Sequence, residues 1–348
     1  MVEVWYAIAA LFLAAYAVLD GFDLGAGALH LFVARTDDER RRVLGAIGPF
    51  WDGNEVFLLA SGGVLFVAFP TALAVGLSGF YLAIFLVLWT LILRGIAIEF
   101  RSHVADPLWR AGWDFVFSLA SGTLAILFGA ALANLIRGVP IDAKGWFALT
   151  LFTHFRTEDP VGILDWYTVL IGVFALLTLA AHGGAFLAWK TEGAVEERAR
   201  RASLVLFAVV TALWPAVTWA TRVASPDAFS TARERPLAWV GAAAATLGLI
   251  LAYHGLTKRR SLAAFLGSCA FIAGILAATA AMMFPILLRA TTDPARSLTA
   301  YAAASPAGPL RAALGWFVVG LPLVLAYFTT IFRLHRGKAP EPREGEGY

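Results

Sequence analysis

The chain has 348 residues, of which 60% are hydrophobic and only 15% are charged, and its mean hydropathy is +0.75. This composition excludes an ordinary soluble domain and indicates a polytopic membrane protein. The formal net charge of +3 is spread over the loops, so the sequence shows no footprint for nucleic acid. The single cysteine, Cys269, excludes an intrachain disulfide and a metal site built from several cysteines.

The apolar segments are about 20 residues or longer and lack the short alternation of barrel strands, which predicts helices. We therefore predict an all-α integral membrane protein with a single transmembrane domain, 1–338, and a cytoplasmic polar tail, 339–348. The nine predicted transmembrane helices are 4–33, 49–69, 73–101, 113–136, 165–189, 203–223, 237–254, 262–288 and 312–334. Between the second and third we expect an outer-surface hairpin at Pro70, because proline ends one helix and can open the next.

The distribution of basic residues predicts the orientation in the membrane. The loops after the first, third, fifth and seventh spans, together with the C-terminal tail, hold almost twice as many Lys and Arg residues as the N-terminus and the other loops. We therefore expect the N-terminus outside and the C-terminus in the cytoplasm. The first span is not expected to be a cleavable signal peptide, since Glu3 precedes it and there is no basic leading segment.

Two acidic residues lie within the first span. Asp20 and Asp23 are three residues apart, so both can point into a helix bundle, where Arg94 and Glu99 of the third span can join them. A carboxylate at the bilayer centre costs about 2.5–3.5 kcal/mol on insertion scales. One interpretation is a proton relay or a water-filled cavity, and the other is a carboxylate paired with Arg94 that only fixes helix packing. We favour the relay, because one arginine cannot neutralise this many acids.

A second acidic pair opens the second span. Asp52 and Glu55 follow Pro49, which suits the first turn of a helix, and acids there complement the positive end of the helix dipole. Capping alone can account for Glu55, whereas we assign Asp52 to a functional site because of its depth and its neighbours. Trp51 could be an interfacial anchor. In the predicted orientation the acids and Arg94 form a ladder from the cytoplasmic surface toward the membrane centre.

The histidines do not predict a haem or metal site in this chain. Only His182 lies well inside a span, and the other five, His30 among them, fall in loops or at span ends, where a solvated histidine is ordinary. Haem held by this chain alone would need a second ligand or an axial methionine. Met282 and Met283 are available, but methionine in an apolar helix is usually filler.

Three sequence blocks together resemble a known family. They are Leu19-Asp20-Gly21-Phe22-Asp23-Leu24-Gly25, Gly48-Pro49-Phe50-Trp51-Asp52-Gly53-Asn54-Glu55-Val56 and Arg94-Gly95-Ile96-Ala97-Ile98-Glu99-Phe100-Arg101-Ser102. In this order and spacing they closely resemble subunit II of the cytochrome bd-type quinol oxidases. The segments Asn134 to Pro140 and Met283-Phe284-Pro285 also look like that subunit, so the resemblance runs through most of the chain.

The resemblance implies nine helices arranged as two four-helix bundles plus a peripheral helix, packed against a similarly built subunit I. In that family the complex oxidises quinol and reduces dioxygen to water, and haems b and d lie in subunit I. Subunit II helps to line the route that carries protons from the cytoplasm to the haems, and Asp52 matches the aspartate usually assigned to it. The resemblance leaves open a structural quinone in subunit II and a small single-helix accessory subunit.

We therefore expect a non-haem subunit of a quinol:oxygen oxidoreductase in the bacterial plasma membrane. The expected proton path consists of Asp52, Asp20, Asp23, Glu99 and Glu55, and the expected supporting residues are Arg94, Trp51, Asn54 and Arg101. One alternative is a proton-coupled secondary transporter, which also needs carboxylates at the midplane and glycine-interrupted helices. The missing internal repeat disfavours it. A second alternative is a purely structural partner, in which the acids serve only helix pairing.

Overall fold

The computed structural model describes residues 1–339, and almost all of them are helical. The helices are α1 (Val2–Val33), α2 (Asp37–Ile47), α3 (Trp51–Ala68), α4 (Pro70–Gly79), α5 (Tyr81–Phe100), α6 (Pro107–Arg137), α7 (Trp166–Lys190), α8 (Gly193–Ala224), α9 (Pro226–Glu234), α10 (Pro236–Thr257), α11 (Ser261–Met283), α12 (Ala300–Ala303) and α13 (Ala307–Leu334). Two short antiparallel strands, β1 (Ile286–Leu288) and β2 (Leu298–Thr299), lie between α11 and α12. Of the predicted tail, 339–348, all but Ala339 lies outside the described residues.

Eight helices of the described part are long and apolar enough to cross a membrane: α1, α5, α6, α7, α8, α10, α11 and α13. The expectation of an all-helical, multi-pass membrane protein is therefore confirmed. The predicted second span, now α3, is not among the eight, because Asp52, Asn54 and Glu55 occupy the first turns of a helix of only 18 residues. The total of nine transmembrane helices stays a prediction.

The predicted boundaries need correction at three places. The third predicted span, 73–101, is two helices, α4 and α5, which are separated at Phe80. The expected break at Pro70 is present, since α3 ends at Ala68 and Pro70 opens the ten-residue helix α4. The eighth predicted span, 262–288, ends early, because Pro285 has no N–H to continue α11 and the chain turns into β1.

The third correction concerns α8, which begins at Gly193 and so extends ten residues before the predicted span, 203–223. Charged side chains mark this extension, and hydropathy alone does not detect it. Glu197 pairs with Arg200 and Arg201, three and four residues further on, at 2.8 and 2.6 Å. Such pairs stabilise an exposed helical turn by a few tenths of a kcal/mol each.

Helix α1 lies at the centre of the fold and packs against α3, α6, α7 and α11. Its approach to α7 is a backbone contact, which two glycines permit. A Cβ at Gly25 would lie 1.8 Å from the carbonyl oxygen of Leu179, and one at Gly183 would lie 2.2 Å from the nitrogen of Ala26. Small residues at this crossing therefore bring the Asp20 turn of α1 into the middle of the bundle.

The bundle has two distinct ends. The α2 end contains α2, the end of α1 and the start of α8, where Arg198 Nε donates to the carbonyl oxygen of Val33 at 2.7 Å. The hairpin end contains β1, β2, α4 and α9. There the backbone N–H of Ser305 donates to Ala68 at 2.9 Å. Helix α3 therefore runs from the α2 end, at Trp51, to the hairpin end, at Ala68.

Candidate functional site

A buried arginine joins α1, α3 and α5. Arg94, on the second half of α5, is fully buried, and its Nη1 donates to Asp20 Oδ1 at 2.7 Å. Its Nη2 donates to Glu55 of α3. Asp20 is completely buried, whereas the Glu55 side chain keeps 28% of its surface exposed. The planar guanidinium fork thus holds one carboxylate in the core and one at the edge of the bundle.

Asp23 lies one turn further along α1 and has a different partner. Asn54 Nδ2 donates to Asp23 Oδ2 at 2.7 Å and to the carbonyl oxygen of Leu19 at 3.2 Å. Asp23 and Asn54 are both buried. Asn54, which the sequence placed only in a supporting role, therefore ties α3 to the acidic face of α1 and is the neutral partner of a buried carboxyl group.

Several polar atoms of this arginine–carboxylate cluster have no protein partner. Asp20 Oδ2, Asp23 Oδ1 and Asn54 Oδ1 are buried without a hydrogen bond to any described residue. The Tyr16 hydroxyl is also buried beside Asp20. Buried polar groups normally bind water or protein, so these atoms mark a place for ordered water or for a proton. Three acids around one base also leave a charge surplus, which protons can balance.

Two predicted path residues lie outside this buried cluster. Asp52 is exposed in the first turn of α3, one turn before Glu55. Glu99 is exposed on α5, and its backbone oxygen accepts a hydrogen bond from His103 Nδ1 at 2.8 Å. Five residues separate Glu99 from Arg94, which is about 140° around the helix. Glu99 therefore does not share the face of Arg94, and its place in the proton path stays a prediction.

Trp51 is packed between helices and is not an exposed interfacial anchor. Its side chain is 9% exposed, and its ring lies 3.6 Å from the position that a Cβ would take at Gly95 of α5. The indole therefore lies at ordinary van der Waals distance from the turn of α5 that carries Arg94 and Gly95. The indole Nε1 is buried without a partner among the described residues.

The sequence did not predict a second buried network, which lies at the α2 end. Asp114 of α6 accepts hydrogen bonds from His30 Nε2 at 2.7 Å, Arg101 Nε at 2.6 Å and Arg40 Nη1 at 3.0 Å. Arg101 Nη2 also reaches Asp37 of α2 at 2.7 Å. His30, Arg101 and Asp114 are buried, so the expected solvated position of His30 is wrong. The signal that the sequence offered for this network was Asp114 itself, an acid inside the fourth predicted span.

Helix α2 is fixed to the bundle by a second contact. Glu39 pairs with Arg198 of α8 at 2.6 Å, and its carboxylate also accepts the backbone N–H groups of Arg35 and Thr36. Partial burial opposes the charged form, but these hydrogen bonds outweigh it and hold the pKa of Glu39 below its ordinary value. Helix α2, which precedes Trp51, is therefore attached to Arg101 through Asp37 and to α8 through Glu39.

At the hairpin end a third buried network joins α6 to α7. Arg137 donates to Asp165, to Asn134 Oδ1 at 2.7 Å and to the carbonyl oxygen of Gly162 at 3.1 Å. Asp165 also caps α7 by accepting the backbone N–H groups of its first turn. One base faces one acid, and both are hydrogen-bonded. This network accounts for the Asn134 to Pro140 block as a structural joint.

His182 is a buried core histidine. Its Nε2 lies 2.9 Å from the carbonyl oxygen of Val18, its Nδ1 lies 2.6 Å from Ser268 Oγ, and its ring stacks on Phe265 at 5.2 Å. Both ring nitrogens therefore already contact protein groups. Within residues 1–339, no three His, Cys, Asp or Glu side chains converge in a way that could hold a metal ion.

The fold and the cluster together define a class: a multi-pass helical membrane protein that keeps a surplus of carboxylates around one arginine between its helices. The particular family follows from comparison with known proteins. The family model for cytochrome bd terminal oxidase subunit II matches residues 1–335, and the chain belongs to this family. It is therefore a subunit of an oxidoreductase complex, a terminal oxidase.

Individual relatives agree along nearly the whole chain. The chain is 32% identical over 350 residues to the probable cytochrome oxidase subunit 2 of Haemophilus influenzae, which covers 93% of this chain and 91% of that protein. It is 31% identical over 351 residues to the cytochrome bd-I ubiquinol oxidase subunit 2 of Escherichia coli K12, with the same coverage of 93% and 91%. It is 35% identical over 208 residues to the cytochrome bd ubiquinol oxidase subunit 2 of Bacillus subtilis, with 60% and 59% covered.

The fold is also that of a solved oxidase. A chain in the structure of bd oxidase from Geobacillus thermodenitrificans superposes with a TM-score of 0.72 and covers 96% of this chain and 98% of that one. The sequence identity is 20%, so the likeness shows a shared fold. The helical architecture is thus conserved at a level of divergence where most side chains differ.

Proposed function

We propose that this chain is the non-haem subunit of a quinol:oxygen oxidoreductase, packs against a haem-bearing subunit I, and lines a proton path from the cytoplasm to the oxygen-reducing haems. Family membership supports the complex and the partner subunit. The names of the Escherichia coli and Bacillus subtilis relatives give ubiquinol as the reductant of those proteins, which supports a quinol here. Haems b and d are assigned to subunit I, since His182 already bonds protein groups through both nitrogens.

The observation that carries the proton path is the surplus of buried acid around Arg94. A salt bridge that served only packing would pair one acid with one base and fill the remaining lone pairs, because unpaired buried charge is costly. Here Asp20, Asp23 and Glu55 face a single arginine, and Asp20 Oδ2 and Asp23 Oδ1 have no described partner. Such groups can bind and release protons without breaking the contacts that hold the helices together.

The order of the path follows from exposure. Asp52 is exposed, Glu55 is half-buried one turn later on α3, and Asp20 is fully buried on the other side of Arg94. Asp23 extends the buried part of the path along α1. Arg94 and Asn54 position the buried acids. Trp51 packs beside them, and Arg101 supports the end of α5 through Asp114 and Asp37. Glu99, on the exposed side of α5, would act only as a collector of protons at the surface.

The topology of the proposal rests on charge and on the shape of the bundle. Basic residues concentrate at the α2 end, which supports a cytoplasmic α2 end, an external N-terminus and a cytoplasmic C-terminus. Helix α3 runs between the two ends, so we take it as the ninth membrane span. The proposed arrangement is two four-helix bundles and a peripheral helix. Helix α13 suits the peripheral position, since Leu310 is its one buried residue.

A structural quinone stays part of the proposal, as does a small accessory subunit. A groove of about 260 Å³ between α1, α3 and α13 is lined only by apolar side chains, including Phe12, Phe57 and Phe328. This lining suits an isoprenoid tail and offers no side-chain hydrogen-bond donor to a quinone ring. The apolar helices place the whole assembly in a lipid bilayer, which is the bacterial plasma membrane in this proposal.

The proposal is tested with Asp52→Asn and Asp23→Asn in the assembled oxidase. Both substitutions keep size and hydrogen-bonding capacity but remove the titrating group. We expect oxygen consumption with quinol to fall by about tenfold or more, the scale of lost proton transfer, at an unchanged visible haem spectrum and an unchanged assembly yield. Full turnover in either variant removes that residue from the path. Lower assembly with normal turnover per assembled complex would favour the purely structural reading.

A further inference from the structure

An open cleft at the hairpin end carries two arginines. It has a volume of about 540 Å³ and lies between the last turns of α8 and the short helix α9. Trp219, Arg222 and Val223 line it from α8, and Phe229 and Arg233 line it from α9. Their spacing puts each set on one face of its helix, so the two faces meet across the cleft.

The cleft is positively charged, and its charges are not used inside the protein. Neither Arg222 nor Arg233 forms a salt bridge or a side-chain hydrogen bond with another residue in the described range 1–339. Asp227 and Glu234 also belong to α9, but they lie about 90–110° around the helix from the middle of the face that lines the cleft. Asp227 lies close enough to Arg289, which follows β1, to interact with its charge. The two guanidinium groups therefore remain available to an anion.

The same cleft is apolar on its membrane side. Trp219 and Val223 are 66% and 48% exposed, and they continue the outer surface of a membrane-length helix. Trp239 of α10 is 62% exposed, and its Nε1 donates to the carbonyl oxygen of Arg233 at 3.0 Å. Tryptophan concentrates at the level of lipid headgroups. The two arginines thus lie at the depth where the phosphates of the bilayer begin.

We propose that this cleft binds one anionic phospholipid, with Arg222 and Arg233 on its phosphate and an acyl chain along Trp219 and Val223. The guanidinium fork matches the geometry of a phosphodiester, and two forks can hold one phosphate from both sides. The apolar wall favours a lipid over a soluble phosphate. An acyl chain would cover Trp219 and Val223, whereas a soluble phosphate would leave both side chains exposed beside the bound anion. The bound lipid would link α8 to α9 at the surface of the oxidase.

The test measures lipid retention by the assembled oxidase with native mass spectrometry. The complex is delipidated and titrated with dioleoylphosphatidylglycerol, and the variant is R222Q/R233Q. We expect one binding event per complex to weaken about tenfold, the factor that corresponds to ~1.4 kcal/mol. The matched control is K144Q/R311Q, which removes two exposed positive charges from other places at the hairpin end and should retain the lipid as the wild type does. Dioleoylglycerol, which has no phosphate, should bind at least tenfold more weakly to the wild type, and millimolar inorganic phosphate should not displace the lipid.

Three results would overturn the proposal. Equal retention of phosphatidylglycerol by wild type and R222Q/R233Q would remove the arginines from the site. Equal retention of dioleoylglycerol would show an apolar groove without phosphate recognition, and displacement by inorganic phosphate would show a soluble-anion site. If the double variant does not assemble, R222Q and R233Q alone decide the question: a loss in either supports the site, and wild-type retention in both refutes it.

Discussion

Two buried charge clusters of this protein differ in their balance. Around Asp114 one carboxylate accepts hydrogen bonds from His30, Arg101 and Arg40, so donors outnumber acceptors and both carboxylate oxygens are used. Around Arg94 the relation is reversed: acids outnumber the base, and carboxylate oxygens remain without partners. The first arrangement holds helix ends together. In the proposed function the second arrangement conducts protons, and the excess of acid over base is what distinguishes this candidate conductor from a joint.

The same difference explains why the two clusters lie where they do. The Asp114 network connects α2, α5 and α6 at the end of the bundle, where loops must be fixed. The Arg94 cluster connects the interiors of α1, α3 and α5, where an unneutralised charge is most expensive. A surplus of acid in that position has a cost, so its presence points to a use.

Replacing Arg94 with methionine should have the largest effect. The side chain is fully buried and bridges Asp20 to Glu55, so its removal leaves two carboxylates without their cation in the bundle interior. Breaking a buried pair in this way typically costs about 3–5 kcal/mol. We expect almost no assembled complex, measured as the yield of haem-containing oxidase. Arg311→Met, at an exposed arginine of α13, is the control, and wild-type yield of Arg94→Met would show that the cluster does not stabilise the fold.

Asp114→Asn should have the next largest effect, and it should be of another kind. Loss of the carboxylate leaves Arg101 and His30 around a neutral amide, so the ends of α5 and α6 lose a charged contact of about 1.5–3 kcal/mol. We expect a lower yield and a lower thermal midpoint of the complex, but unchanged oxygen consumption per haem in what assembles. A large loss of turnover at normal stability would contradict the distinction between joint and conductor.

Composition predicted the helical membrane class and singled out the acids within the spans, because charge is costly in lipid. The family was predicted separately, from the resemblance of three sequence blocks. Asp20, Asp23 and Arg94 stand out in any hydropathy profile, and the structure brings Asp20 and Arg94 into contact. The partner of Asp23 was not predictable in the same way. Asn54 is neutral and lies in a segment that could equally have been a helix cap, so only the packing of α3 on α1 reveals its role.

The details that failed depend on tertiary context. His30 stands at the end of a span, where solvent is the usual neighbour, yet it is fully buried and contacts Asp114 and Phe117 of α6. Trp51 is a residue type typical of interfacial anchors, but its ring is buried and packs beside Gly95 of α5. The charged start of α8 is helical because its own ion pairs and its contacts with α1 stabilise it, which a hydropathy window does not detect.

Glu99→Gln should have the smallest effect, and it tests the boundary of the conducting cluster. Glu99 shares a motif with Arg94, but its side chain is exposed on a different face of α5, so its neutralisation leaves the buried pairs of Arg94 with Asp20 and Glu55 in place. We expect oxygen consumption per assembled complex to change by less than about twofold at low ionic strength, and by less still when salt screens the surface. Asp23→Asn, measured in parallel, is the buried counterpart. Equal losses in the two variants would mean that exposure does not separate the path from the surface, and that Glu99 belongs to the path as fully as Asp23.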